Sequence, residues 1–185
     1  MWCGVAIANA IAVLMGCALG AGNAVAADDG CARAAAVPDD ATRSQAVDSV
    51  LCLVNGERAT HGLAPVHASA QLTRSAQAHS QDMVARDYFS HVTPGGKSVR
   101  RRVVSAGYPV SRRQPIKVGE TIAWGTNRLG TPAQLVRSFM SSPGHRRILL
   151  DRSFRDVGVG LVLGAPVAGM PGAGATLTLD FGRRG

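Results

Sequence analysis

Three polar side chains stand where the chain turns and could act together in chemistry. His91 precedes a loop with a glycine pair, Glu120 directly follows a glycine, and His145 follows a Pro-Gly turn. Two imidazoles and a carboxylate could form a general acid/base set. They could also bind a divalent metal such as zinc, with His91 and His145 as nitrogen ligands and Glu120 as a third ligand or as the base of a metal-dependent hydrolase. No H-E-x-x-H motif joins them, so their spacing alone leaves a shared site open.

A structural role for the same residues is the alternative. Glu120 can hydrogen-bond the histidines and brace a cleft, because a buried charge needs such partners in any case. His79 is predicted to be a packed or partly exposed helix residue, and the three arginines at residues 100–102 are predicted to form a solvated helix face rather than a polyanion site. No G-x-S-x-G sequence supports a serine hydrolase.

The elements that must position these residues follow from hydrophobic spacing and turn residues. The predicted elements are helices at 44–60, 70–86 (capped by Ser69) and 98–106, an extended segment at 118–125, a helix from Thr131-Pro132 to about Ser142, and strands at 156–163 and 175–181. The two strands form a long hairpin. Helices first and strands last, without a βαβ alternation, predict an α+β domain in which helices cover an antiparallel sheet.

The first 27 residues differ from the rest because they contain no charged residue and carry an apolar run that ends in small residues. They are typical of a secretory signal with an A-x-A-like cleavage site at residues 24–26, which predicts a secreted or periplasmic protein. No lysine or arginine precedes the run, and Cys17 ends a loose lipobox, so a lipoprotein anchored at Cys17 is the alternative. The chain then divides into a signal at 1–27, a flexible tail at 28–43 and one domain at 44–185.

The cysteine count agrees with export. Cys3 and Cys17 belong to the predicted signal, which leaves Cys31 and Cys52 in the mature chain. A pair of cysteines in an oxidising compartment predicts one disulfide, which would join the tail to the first helix. Two unpaired thiols are the alternative.

The formal charge of +8 lies entirely in the mature part of the chain, since the predicted signal is uncharged. For an exported protein, this charge favours an anionic envelope surface as a partner, and a basic adhesive envelope protein is one functional alternative. A merely solvated basic surface is the other interpretation. Nucleic acid is disfavoured as a partner because aromatic residues make up only 4% of the chain, no binding motif is present, and the signal directs export.

Several short segments together resemble a known family. They are residues 53–58 (LVNGER), 76–91 (ending in FSH), 119–120 (GE) with 124–125 (WG), 142–146 (SPGHR), 157–160 (VGVG) and 180–182 (DFG). They occur in the family's order across residues 47–182. On these segments the chain resembles the CAP superfamily, also called the SCP domain, which includes cysteine-rich secretory and plant pathogenesis-related proteins. Within it, the chain is similar to the bacterial secreted branch.

This resemblance implies an α-β-α sandwich with a central cleft that holds two histidines and two acids. By motif, His91, Glu120 and His145 match three of the four, and the position of the second acid falls at Ser142. The fold hosts unrelated activities, so the resemblance alone does not assign one. It favours a monomeric module that binds a lipid-like, sterol-like or envelope ligand over an enzyme, with the metal-dependent hydrolase as the alternative.

Overall fold

A computed structural model describes residues 31–109, 116–170 and 173–183. The helices are α1 (Arg43–Thr60), α2 (Ala70–Ala85), α3 (Val99–Ser105), α4 (Pro132–Ser141) and α5 (Pro143–Leu149), with a 3₁₀ turn at Asn127–Gly130. The strands are β1 (His67–Ala68), β2 (Lys117–Thr126), β3 (Asp156–Leu163) and β4 (Gly174–Arg183). The α+β prediction is confirmed, and the predicted helices and the hairpin occur within a few residues of their expected positions.

Besides β1 and the 3₁₀ turn, which were not predicted, two elements differ from the sequence prediction. The Ser142-Pro143-Gly144 turn ends α4 but also begins α5, because proline is favoured in the first turn of a helix. The segment at 118–125 is part of a ten-residue strand, since β2 pairs along its whole length with β4. These differences arise from tertiary pairing and packing, which short sequence windows do not contain.

The four strands form one sheet in the order β1-β3-β4-β2. β4 pairs antiparallel with both β2 and β3, and the two-residue β1 adds to β3 in parallel. Glu120 lies directly opposite Asp180 in the β2/β4 register. Because cross-strand partners project from the same face of a sheet, these two carboxyl groups are neighbours.

The sheet has one apolar face and one polar face. Leu177, Leu179 and Phe181 of β4 belong to a buried apolar cluster with residues of α1 and α4. The alternate β4 residues Thr176, Thr178 and Asp180 are equally buried but polar. Side chains alternate along a strand, so these polar residues project from the opposite face, which α2 covers.

Two glycines of β3 bring α2 close to that polar face. A Cβ atom added to Gly158 would lie 2.0 Å from the carbonyl carbon of Leu72, and one added to Gly160 would lie 2.2 Å from that of Ala76. The helix backbone therefore rests directly on the strand. This contact allows Ser80 of α2 to hydrogen-bond Thr178 at 2.7 Å and the carbonyl oxygen of Gly160 at 2.8 Å.

A disulfide anchors the segment before α1. Cys31 and Cys52 are bonded, as predicted, with their Cα atoms 5.5 Å apart. The backbone N–H of Ala133 also donates to the carbonyl oxygen of Ala34, which ties this segment to α4.

The signal and lipoprotein predictions concern residues 1–27, which lie outside the described residues. Among the helices that the structure describes, none has the length and apolar character needed to cross a membrane.

Candidate functional site

Glu120 is the centre of a buried polar cluster on β2. Only 4% of the residue is exposed, and both carboxylate oxygens are engaged. Oε1 lies 2.8 Å from Nδ1 of His91, and Oε2 accepts a hydrogen bond from Nη2 of Arg102. Burial raises the pKa of Glu120, but the His91 hydrogen bond and the charge of Arg102 outweigh it, so the net pKa is lowered and the group is ionised at neutral pH.

His91 lies beside Glu120, in the loop that follows α2. Its side chain is half exposed. A carboxylate can only accept a hydrogen bond, so Nδ1 carries the proton in the contact with Glu120. The other ring nitrogen, Nε2, is then the polar atom that His91 can offer to a ligand. Arg102 also donates to the carbonyl oxygens of His91 and Lys97, at 2.9 and 3.0 Å, and so fixes both ends of this loop.

His145 faces His91 from the first turn of α5. The two ring centroids are 6.1 Å apart, and the edge of His145 also packs against Phe139 at 5.3 Å. Burial, followed by the charge of His91 when it is protonated, lowers the pKa of His145. His145 is therefore a neutral imidazole at neutral pH, which can either accept or donate one proton.

His79 lies on the inner side of the same carboxylate. Its Nε2 is 3.0 Å from the carbonyl oxygen of Ser90 and 3.8 Å from Oε2 of Glu120. The residue is 1% exposed, and burial lowers its pKa, although Glu120 partly opposes that effect. Of the two predicted alternatives for His79, packed or partly exposed, the structure shows the packed one. By bonding Ser90, His79 also helps to hold the loop that carries His91.

Asp180 adds a second carboxyl group to the cluster, and the sequence reasoning missed it as a site residue. It is fully buried on β4, beside Glu120 and near the hydroxyl of Ser75. Burial and the adjacent charge of Glu120 raise the pKa of Asp180 well above its ordinary value, and Ser75 opposes this only in part, so the neutral form is favoured. The alternation of side chains along β4 could have indicated this position, because it places Asp180 on the same face of the sheet as Thr178.

The structure thus brings together the three residues that the sequence singled out, His91, Glu120 and His145. It corrects the interpretation of Arg102, which is 8% exposed and bonded to Glu120 rather than part of a solvated face. Val99 and Val103 on the same side of α3 pack in an apolar cluster, and this helical pattern could have indicated that Arg102 points inward.

The donor set can be compared with what a metal requires. Within the described ranges, no group of three His, Cys, Asp or Glu residues is placed to hold a metal ion. Glu120 is already engaged by Arg102 and His91, which leaves two imidazoles, whereas a catalytic zinc site has three protein ligands. The residues do not fit a three-ligand site. Metal binding by His91 and His145 alone stays a prediction.

A family comparison agrees with this architecture. The model of the cysteine-rich secretory protein family (CAP) matches residues 51–168. Two curated Bacillus subtilis proteins are similar: the uncharacterized protein YkwD is 37% identical over 113 residues, and the uncharacterized membrane protein YlbC is 33% identical over 112. The matches span 61% and 60% of this chain but only 41% and 30% of those proteins. The chain thus covers less than half the length of these relatives.

Solved structures share the fold. An extracellular protein with an SCP domain from Bacillus anthracis is 24% identical with a TM-score of 0.58, covering 76% of this chain and 43% of that one. An outer surface protein from Borrelia burgdorferi is 15% identical with a TM-score of 0.62, covering 78% of this chain and 96% of that one. At these identities the likeness concerns the fold.

Proposed function

We propose that this chain, which belongs to the cysteine-rich secretory protein (CAP) family, is an exported binding module whose cleft holds a small apolar or amphiphilic envelope ligand. The observation that carries the proposal is the engagement of Glu120. Its two oxygens already contact His91 and Arg102, so the carboxylate is a brace for the cleft rather than a free base or metal ligand.

The surface around His91 supports a ligand of mixed character. Phe89 and Val92, which flank His91 in sequence, are 43% and 48% exposed. Exposed apolar side chains beside polar groups are typical of a recognition surface. Nε2 of His91 and the neutral ring of His145 would supply hydrogen bonds to a polar end of the ligand, while the two apolar side chains would contact its hydrocarbon part.

A metal-dependent hydrolase is the second candidate. The facing rings of His91 and His145 favour it, because their centroids are 6.1 Å apart and neutral imidazole is the form that ligates metal. His91 and His145 would hold the ion as a two-histidine site completed by waters, because Glu120 is already engaged, and the ion would supply an activated water when bound. Glu120 would orient His91 through Nδ1 in this case, as carboxylates commonly do for metal-ligating histidines.

Equilibrium titration of the full chain tests the first candidate, with a sterol, a fatty acid and a cell-wall fragment as probes. We expect saturable binding of at least one probe, and a loss of about tenfold in affinity in His145→Gln, where the hydrogen bond of the imidazole ring is lost. His67→Gln is the matched control, since His67 is exposed on β1 at the opposite edge of the sheet from β2.

The outcomes separate the two candidates. Absence of saturable binding to all three probes would eliminate the binding module. Zinc that copurifies with the protein, with peptide turnover lost in His145→Gln but not in His67→Gln, would establish the hydrolase instead. Equal turnover in the two variants would remove the hydrolase.

A further inference from the structure

A second cavity lies between α2, α3 and the loop at residues 93–97. Its volume is about 860 Å³, which is within the usual range for small-molecule sites. None of His91, Glu120 and His145 is among the described residues that line it. The cavity therefore has its own lining, although His79 and Arg102, which belong to it, also contact Glu120.

The walls of this cavity combine carbon surface with polar groups. Among the described lining residues, no side chain is an aliphatic group larger than alanine, and the hydroxyl and amide groups come from Thr73, Ser75, Gln77, Gln81, Thr93 and Ser105. Long arginine and glutamine side chains present methylene carbons beside their polar ends. A compact ligand that has both hydroxyl groups and carbon surface would be matched.

The charge of the cavity is positive. Arg74, Arg86, Lys97 and Arg102 line it, against one acid, Asp82. Asp82 is already bonded to Arg86 and to the hydroxyl of Tyr88, and Arg102 is bonded to Glu120. Arg74 and Lys97 are exposed and have no carboxylate partner among the described residues. These two side chains can therefore receive an anionic group.

The inner wall also has unused hydrogen-bonding capacity. Nδ1 of His79, which lines the cavity, is buried and has no hydrogen-bond partner among the described residues. The atom is itself screened from solvent, so the first contacts of a ligand would be with Arg74 and Lys97.

We propose that the α2–α3 cavity is a second ligand site, which binds a small polar organic anion such as an acidic sugar or a sugar phosphate. The carboxylate or phosphate would contact Arg74 and Lys97, and the hydroxyl groups of the ligand would bond the polar side chains of the wall. This site does not depend on the proposed function of the cleft, because the two share no ligand-contacting residue.

Calorimetric titration of the full chain tests this site with digalacturonate, glucose 6-phosphate, inorganic phosphate and the neutral disaccharide cellobiose. We expect saturable binding of digalacturonate or glucose 6-phosphate, and weaker binding of phosphate and cellobiose. Lys97→Gln and Arg74→Gln should each weaken the tighter probe by about tenfold. Arg128→Gln, which removes an exposed charge from the 3₁₀ turn, should leave its affinity unchanged.

A steric variant and a cleft variant complete the test. Ala78→Trp fills the cavity from an exposed helix position and should abolish binding without a change of charge. His145→Gln should leave this affinity unchanged, so failure of the cleft proposal and failure of this one are distinguishable. The proposal is overturned if neither acidic probe saturates, if Arg128→Gln weakens binding as much as Lys97→Gln does, or if Ala78→Trp binds like the wild type.

Discussion

The two faces of the sheet contain equally buried residues of opposite character. On one face, Leu177, Leu179 and Phe181 pack with α1 and α4 in an apolar cluster. On the other, Thr178 and Asp180 of the same strand meet polar residues of α2 and β2. One strand therefore contributes to both a hydrophobic core and a charged cluster, because its successive side chains project in opposite directions.

This difference shows how the fold separates stability from the candidate site. The apolar face stabilises through burial of area, which tolerates exchange among residues of similar size. The polar face depends on specific partners, because a buried polar group without its partner costs free energy. The cleft and the second cavity both adjoin the polar face, so substitutions there are expected to affect ligand binding as well as stability.

Loss of Arg102 should give the largest effect on the polar face. Arg102→Met leaves the buried carboxylate of Glu120 without its cation, and we expect the free energy of unfolding to fall by about 3–5 kcal/mol. Urea unfolding followed by circular dichroism measures it. Arg101→Met, an exposed neighbour on α3, is the matched control and should change stability by less than about 0.5 kcal/mol.

Adding Glu120→Gln to Arg102→Met should recover part of the loss, since the unpaired charge is then removed. If Arg102→Met is as stable as Arg101→Met, the polar face does not depend on this ion pair and the contrast between the faces fails.

The approach of α2 to β3 should give the next largest effect. Gly160→Ala places a methyl group 2.2 Å from the helix backbone at Ala76, so α2 must move away from the sheet, and we expect a loss of about 3 kcal/mol. Gly56→Ala in α1 is the control, because its added Cβ meets nothing within 4 Å and alanine favours a helix. Thermal unfolding of the two variants should shift in opposite directions; equal shifts would contradict the close contact.

The dependence of stability on pH should give the smallest effect. The pKa values of His79 and His145 are lower in the folded protein than in the unfolded chain. As the pH decreases below about 6.5, the unfolded chain therefore binds more protons than the folded protein, and the free energy of unfolding decreases. Each histidine contributes a slope of at most about 1.4 kcal/mol per pH unit. Urea midpoints between pH 7.5 and 5 measure it.

Substitutions on the two faces of the sheet should change the dependence of the free energy of unfolding on pH in different ways. His79→Gln should reduce the slope, whereas Leu179→Ala on the apolar face should lower the whole curve by about 2–5 kcal/mol without changing its slope. An unchanged slope in His79→Gln would show that the buried histidine does not titrate as described. Asp180 has the opposite effect on the pH dependence. Its pKa is raised in the folded protein, so its contribution to stability is lost as the pH increases through the folded-state pKa.

Much of the fold could be predicted because its signals are local. Ser69 accepts a hydrogen bond from the backbone of Leu72, and Thr131 accepts one from Gln134, so both helix starts are where capping residues indicated. The β3/β4 hairpin followed from alternation. The start of α5 was missed because Pro143 is compatible both with the end of one helix and with the start of the next.

The candidate site likewise contains residues that could be predicted from the sequence and residues that could not. The motifs placed His91, Glu120 and His145 together through family resemblance, and the structure shows their contacts. Arg102 and Asp180 were not expected there, because an arginine in a run of three and an aspartate near a chain end are usually exposed. Their burial depends on which face of α3 meets β2 and on the register of β4, and neither can be read from spacing along the chain.

The sequence by itself determined most of the helices, the β3/β4 hairpin, the disulfide pair and the family, since capping residues, periodicity and ordered motifs act over short distances. Only the tertiary structure decided that Glu120 is shared between an exposed histidine and a buried arginine, with a buried Asp180 of raised pKa on the neighbouring strand. The physical reason is that burial and charge partners are set by the close packing of α2 and α3 against the polar face of the sheet, and these set the protonation of each group.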